Sequence, residues 1–132
     1  MSAYTAKRID EMRGTFQGAF KLVRAELGVS SFGMQILDLP PNLEQFPEHD
    51  HASDGQEEVY IALRGHGEIE IEGERVALDP ETMVRVGPGT SRKLYTGEEP
   101  MRVLALGAVR GRPYEAPDVS KLGEPDPLRQ RT

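Results

Sequence analysis

Residues 47–65, PEHDHASDGQEEVYIALRG, carry the pattern that decides the fold and the candidate site. His49 and His51 lie two positions apart, so on an extended strand both imidazoles point to the same face. Glu58 follows a polar loop that contains glycine, and it opens the apolar run VYIAL. Two imidazoles and one carboxylate on adjacent strands can hold a divalent metal ion and leave coordination positions open. The spacing therefore predicts a metal site formed by His49, His51 and Glu58.

The composition limits the class of protein. A chain of 132 residues fits one domain with a single core. It has no cysteine, which excludes disulfides, thiolate metal ligands and a cysteine nucleophile. The 22 acidic and 16 basic residues give a net charge of -6, which disfavours nucleic-acid binding. The first residues lack the apolar stretch of a signal peptide, and no apolar run is long enough to span a bilayer. We expect a cytoplasmic protein with no nucleic-acid or membrane partner.

The turn residues and the short apolar segments indicate an all-β domain. The 14 glycines and 10 prolines separate segments that often alternate between apolar and polar residues. In residues 68–72, EIEIE, the isoleucines face inward and the glutamates face water at strict period two. Short strands at regular intervals favour a sandwich or a barrel. The predicted strands are Ser31–Leu39, Gln45–His51, Glu57–Arg64, Gly67–Ile71, Arg75–Ala77, Met83–Val86, Arg92–Thr96 and Met101–Val109.

The two ends of the chain differ from the barrel. Residues 1–29 are expected to form an amino-terminal extension, with a short helix over 6–13 and either a turn or a strand at 22–27. Residues 30–110 form the barrel. Residues 111–132 contain four prolines among charged residues, and we expect an irregular tail that lies on the surface or frays.

The strand at Glu57–Arg64 is apolar on both faces, with Val59, Ile61 and Leu63 on one face and Tyr60 on the other. Such a strand needs cover from outside its own barrel. Either the first forty residues or a second subunit can supply that cover, so we expect a homodimer.

These motifs resemble the cupins, a family of double-stranded β-helix or jelly-roll barrels. The first cupin motif has the form G-x5-H-x-H-x3,4-E-x6-G, and His49-x-His51 together with Glu58-x6-Gly65 is similar to it. The stretch Gly87–Arg92, GPGTSR, sits where the second motif, G-x5-P-x-G-x2-H-x3-N, belongs. The likeness covers about residues 30–109. It implies a small-molecule ligand and a divalent transition metal (iron, manganese, nickel or zinc), with no organic cofactor.

The chain departs from the family pattern in several places. The opening glycine of the first motif is missing, and the gap from His51 to Glu58 is long, which leaves Glu57 as a rival to Glu58. Arg92 stands where the family has its fourth ligand, a histidine, and Thr96 replaces the closing asparagine.

An arginine offers only donors and cannot coordinate a cation. Arg92 can pair with Glu58 and replace the ion, it can share an anionic ligand with the ion, or it can lie on the surface beside Lys93.

Two classes of function follow from these residues, and a third remains open. The first is a binding protein in which Arg92 recognises an acid and Tyr60 lines the cavity beside His49 and His51. The second is a metal-dependent dioxygenase or isomerase that acts on a small polar substrate. The third is a structural role in a larger assembly, since the fold alone does not choose among functions.

Overall fold

Two antiparallel β-sheets pack face to face in the computed structural model, which describes residues 3–123. The larger sheet has the strand order β1-β2-β3-β9-β4-β7, and the smaller sheet has the order β6-β5-β8. The predicted all-β jelly-roll fold is confirmed. The strands are β1 (Gly14–Thr15), β2 (Phe20–Lys21), β3 (Gly33–Leu39), β4 (Gln56–Arg64), β5 (Gly67–Ile71), β6 (Glu74–Leu78), β7 (Val84–Val86), β8 (Arg92–Thr96) and β9 (Met101–Val109), with one α-helix, α1 (Val23–Leu27), and 3-10 turns at Ile9–Glu11 and Asp118–Ser120.

The core lies between the two sheets and receives one face of each strand. In β5, Ile69 is fully buried, whereas Glu68 and Glu70 point outward and pair with Arg75 of β6. The same alternation places Leu94 of β8 in the core. Full burial of such a side chain contributes about 1.5–3 kcal/mol, so the period-two pattern fixes which face of each strand turns inward.

The turn between β4 and β5 requires glycine. Gly65 has a φ of 75°, and a Cβ atom there would lie 2.2 Å from the carbonyl oxygen of Pro100. No side chain fits at that distance, and the left-handed backbone favours glycine as well. This glycine is the one that closes the motif seen in the sequence.

Strand β4 is buried on its inner face and only partly covered on its outer face. Tyr60 and Ala62 are buried, Val59 and Ile61 are half-buried, and Leu63 remains 43% exposed. The cover that the sequence requires comes in part from the amino-terminal segment, which packs over the neighbouring strands β3 and β9. That contact is a second apolar cluster of Met12, Val23 and Ile36 with Ile9, Leu27, Met34 and Leu104 around it.

The amino-terminal region is more regular than predicted. The expected helix over 6–13 is only the 3-10 turn Ile9–Glu11, and the undecided segment at 22–27 is the helix α1. Residues 14–21 form a hairpin, β1 and β2, which adds two strands to the edge of the larger sheet beside β3. Strands of two residues are too short to show alternation, so the pattern could not reveal them.

The predicted strand Gln45–His51 is wrong. Only His49 forms a β-bridge, with Arg92 of β8, and the rest of the segment is irregular. Pro47 has no backbone N–H to donate to a ladder. The segment still follows the edge of β8, because the backbone N–H of Leu43 donates to Oγ1 of Thr96 and that of His51 to the carbonyl oxygen of Pro88.

The described part of the carboxy-terminal region, residues 111–123, has one 3-10 turn and otherwise irregular backbone. Tyr114 and Pro117 lie against the open side of the barrel. Residues 124–132 of the predicted tail lie outside the described residues.

Candidate functional site

The backbone around His49 and His51 is held against β8 and the turn before it. The N–H of His49 donates to the carbonyl oxygen of Arg92 at 3.0 Å, and the N–H of Arg92 donates back to His49 at 2.8 Å. The N–H of His51 donates to the carbonyl oxygen of Pro88 at 2.7 Å. These backbone hydrogen bonds fix the irregular segment at both histidines. The Cα positions of His49 and His51 are therefore well defined although no strand forms there.

Glu58 reaches the same place from β4, on the opposite sheet. Its side chain points inward and the residue is 8% exposed. Gly107 of β9 lies opposite, and a Cβ atom there would be 3.3 Å from Cγ of Glu58 and 2.6 Å from Oε1 of Gln56. The glycine therefore leaves the space in which the carboxylate lies.

His49, His51 and Glu58 converge at one point. Nε2 of His51 lies 3.0 Å from Oε1 of Glu58, and Nε2 of His49 lies 3.9 Å from the same oxygen. The two imidazole rings meet edge to face with their centroids 5.2 Å apart. One ligand atom from each residue lies within 4.8 Å of the others. The structure thus brings together the three residues that the sequence selected.

Asp54 belongs to the same group and was missed in the sequence. Both of its carboxylate oxygens lie within 3.1 Å of Nδ1 of His51, and Nε2 of Gln56 donates to it at 3.2 Å. The signal for it was weak, because a single aspartate in a polar loop is usually solvated. A carboxylate that accepts the Nδ1 proton leaves Nε2 as the unprotonated nitrogen of the neutral ring.

Tyr60 and Arg92 hold the carboxylate of Glu58 from inside the barrel. The hydroxyl of Tyr60 donates to Oε1 at 2.7 Å, and Nη1 of Arg92 donates to it at 3.2 Å. Nη2 of Arg92 donates to the carbonyl oxygen of Gly87 at 2.7 Å.

Arg92 is fully buried, so it does not lie on the surface beside Lys93. The contacts of its guanidinium are with Glu58 and Gly87, and direct recognition of a ligand by Arg92 stays a prediction.

Glu58, His51 and Tyr60 have pKa values that are shifted by burial and by one another. Burial opposes ionisation of Glu58, but the proximity of His49, His51 and Tyr60 outweighs it and holds the pKa of Glu58 below its usual range. The Glu58 carboxylate raises the pKa of His51, with a further contribution from Asp54. Burial, together with the charge of Glu58, raises the pKa of the Tyr60 hydroxyl far above its usual value. Glu58 is therefore an anion and Tyr60 a neutral donor across the physiological pH range.

The donor set suits a divalent transition metal. Nε2 of His51 is buried and has no aligned hydrogen-bond partner among the described residues, although it lies close to Glu58. Its other nitrogen is held by Asp54, as is common for histidines that bind metals. Two imidazoles and one carboxylate are ligands that zinc, iron and similar ions accept. Arg92 opposes this set, because its positive charge lies against the same carboxylate.

A cavity of about 290 Å³ opens beside the three residues. The polar residues Gln35, Gln56 and Tyr114 accompany the site residues in its lining. We refer to it as the site cavity. It is lined by Phe20, Gly33, Gln35, Leu37, Phe46, His49, His51, Asp54, Gln56, Glu58, Tyr60, Ala105, Gly107, Tyr114 and Pro117.

Two residues considered in the sequence lie outside the site. Glu57 points outward from β4, is exposed and forms an ion pair with Arg85. His66 is exposed in the turn after β4, 3.6 Å from Glu99. The alternation along β4 therefore places Glu58 rather than Glu57 in the barrel.

A family model and several solved structures resemble this chain. The family model described as a cupin domain matches residues 35–107, more than half of the chain. A cupin protein from Bacteroides fragilis is 21% identical and superposes with a TM-score of 0.68 over 94% of this chain and 99% of that chain. A protein from Photorhabdus luminescens is 15% identical, with a TM-score of 0.62 over 83% of this chain and 90% of that one.

A third structure, DMSP lyase DddQ from Ruegeria pomeroyi, is 25% identical, with a TM-score of 0.54 over 72% of this chain and 46% of that chain. No curated protein matches the sequence. Within residues 3–123, no helix has the length and apolar character needed to cross a membrane.

Proposed function

The chain belongs to the cupin family, and from this premise we propose that it binds a divalent transition metal through His49, His51 and Glu58 and a small polar or anionic molecule in the adjoining cavity. The observation that carries the proposal is the convergence of these three side chains, with Nε2 of His51 buried and 3.0 Å from Oε1 of Glu58. A bound ion would supply a Lewis acid with open coordination positions.

The charges around the cavity favour an anionic ligand once an ion is present. A divalent ion and Arg92 together carry more positive charge than Glu58 and Asp54 carry negative charge. Gln35 and Gln56 add neutral polar groups to the wall of the cavity. The role that we assign to Arg92 is to hold Glu58 in place, since its guanidinium bonds Glu58 and Gly87 and has no exposed surface. Tyr60 lines the cavity and holds the same carboxylate.

A zinc titration by calorimetry tests the metal site. We expect one zinc ion per chain in the wild type and a loss of at least about tenfold in affinity for His49→Ala and for Glu58→Gln, because the first change removes a ligand and the second removes the negative charge of another. His66→Ala is the matched control, since His66 is exposed and lies outside the site. Equal affinities for His49→Ala, His66→Ala and the wild type would exclude the proposed ligand set.

Metal-dependent catalysis is the second candidate function. The three ligands leave positions open toward a cavity, which is the arrangement of catalytic rather than closed structural sites. The DMSP lyase named above is an enzyme with a related fold. A dioxygenase or an isomerase of a small polar substrate fits this site. The test is product formation from a panel of small acids by metal-loaded protein, with Glu58→Gln as the inactive reference.

We also propose a homodimer that forms through the outer face of β4. Val59 and Ile61 are half-buried there, and Leu63 is 43% exposed, so the face retains apolar surface that the amino-terminal segment does not cover. We propose that a second copy of the chain covers this face, because two identical apolar faces can pack against each other in a symmetric dimer.

A further inference from the structure

A second, apolar recess adjoins the site cavity. Its volume is about 480 Å³, within the roughly 300–1,000 Å³ range of small-molecule pockets. It lies between the hairpin β1–β2 and the irregular segment that follows β3. We call it the apolar groove and define it by Ala19, Phe20, Leu37, Leu43, Phe46 and His49.

The apolar groove borders the site cavity. Phe20, Leu37, Phe46 and His49 line both. The ring of His49 stands at the boundary, since its Nε2 lies 3.9 Å from Glu58 and its ring centroid lies 6.5 Å from that of Phe46. A molecule bound beside His49 is therefore next to the groove, and we take the side of the His49 ring as its path into the groove.

Most residues that line the groove are apolar. Of its polar lining residues other than His49, Asp38 is bound through both carboxylate oxygens to Arg102, and Gln45 is exposed at the rim. Phe20, Leu43 and Phe46 are half-buried and pack against the main core. Binding of an apolar group in the groove is favourable because it removes apolar surface from water.

From this geometry we infer that the ligand is amphipathic: its polar head lies at His49, His51 and Glu58, and an aliphatic or aromatic arm lies in the apolar groove. This inference rests on the proposed function for the position of the head. The groove itself specifies the arm.

Straight-chain hydroxamic acids with two, four, six and eight carbons test the inference, because they share one metal-binding head and differ only in the arm. Calorimetry with the zinc-loaded protein, and ligand-observed NMR for the weakest probes, gives their affinities. We expect affinity to rise about fourfold for each CH₂ group that the groove buries. Affinity that does not depend on chain length overturns the inference.

Variants locate the effect in the groove. Leu43→Gln places an amide in the groove, and it should weaken the eight-carbon probe by about tenfold while the two-carbon probe changes by less than about twofold. Met83→Gln is the matched control, since Met83 is 70% exposed and does not line the groove. Ala19→Leu, which fills the groove, should have the same selective effect and carries the test if Leu43→Gln does not fold.

The remaining outcomes separate the groove from the metal site. A zinc titration without probe tests the metal site alone, and the same probe series with metal-free protein tests the groove alone. A chain-length dependence that persists without zinc supports the groove even if zinc fails to bind. The inference is overturned if both groove variants keep the wild-type dependence, or if sedimentation shows that Leu43→Gln separates a dimer that covers the groove.

Discussion

At the residue scale, Asp54 decides which nitrogen of His51 faces Glu58. Its carboxylate is bonded to Nδ1 of His51 and to the side chain of Gln56. Without this bond the ring could rotate, and either nitrogen could carry the proton. The geometry that suits a metal therefore depends on a residue outside the ligand set.

The change Asp54→Asn should lower zinc affinity by about 10–100-fold, because the amide is a weaker acceptor and no longer fixes the His51 ring. A competition titration with a chelator measures the loss. Asp50→Asn is the matched control: its Oδ1 accepts from the N–H of Ala52, and the asparagine oxygen can accept the same bond. If both variants bind zinc as tightly as the wild type, Asp54 has no positioning role.

Arg92 determines how tightly a metal can bind, since its charge lies 3.2 Å from Oε1 of Glu58. Arg92→His should raise zinc affinity at least about tenfold, because a cation beside Glu58 is removed and a neutral imidazole is added in its place. The measurement is the same chelator competition. Arg92→Lys keeps the charge and should give no gain. An Arg92→His protein that binds zinc no tighter than the wild type would contradict this account.

At the element scale, Glu26 of helix α1 ties the helix to Lys7 and Arg13 earlier in the amino-terminal segment. The residue is 7% exposed and accepts hydrogen bonds from the side chains of Lys7 and Arg13 and from the backbone N–H of Arg13. These bonds, that of Lys7 foremost, lower the pKa of Glu26 from 4.5 to about 2. The ionised form is therefore bound more tightly in the folded protein than in the unfolded chain.

Glu26→Gln should lower the free energy of unfolding by about 1–3 kcal/mol near neutral pH, because charge-assisted bonds to a buried group are lost. Since the folded pKa is depressed, this stabilisation is present above pH 4.5 and is lost as the pH falls toward 2. Urea unfolding of the wild type and the variant at several pH values should show the two curves converging in acid. Glu11→Gln, at an exposed residue, should differ from the wild type by less than about 0.5 kcal/mol. A difference that stays constant from pH 7 to pH 2 would show that the charge of Glu26 is not its cause.

The elements also show what a sequence can predict. Strand β5 was predictable because its strict alternation reports which face is buried, and β4 because it is a long run of apolar residues. The spacing from Glu58 to Gly65, rather than alternation, favoured Glu58 over Glu57. The hairpin β1–β2 and the irregular path of the segment before His49 were not predictable, because their hydrogen bonds are made with distant residues. Asp54 and the direction of the Arg92 side chain depend on the same long-range contacts.

At the scale of the whole molecule, the outer face of β4 bears on the state of assembly. We predict a mass of twice the chain in sedimentation at micromolar concentration. Leu63→Lys should give the single-chain mass, because it places a charge in the apolar contact that we propose. Leu122→Lys is the control, at a residue that is 37% exposed and lies outside that face. A wild-type protein that sediments as a single chain would rule out the homodimer.

At position 92 the backbone and the side chain have separate roles: the backbone anchors His49, and the side chain contacts Glu58. Both backbone groups of Arg92 bond to His49, whereas only its side chain touches Glu58. The main-chain bonds do not depend on which side chain is present, so an exchange at this position leaves the histidine segment anchored. Arginine and histidine codons differ by a single base in some cases. A single base change at this codon can therefore exchange a buried cation for an imidazole while both main-chain bonds to His49 are kept.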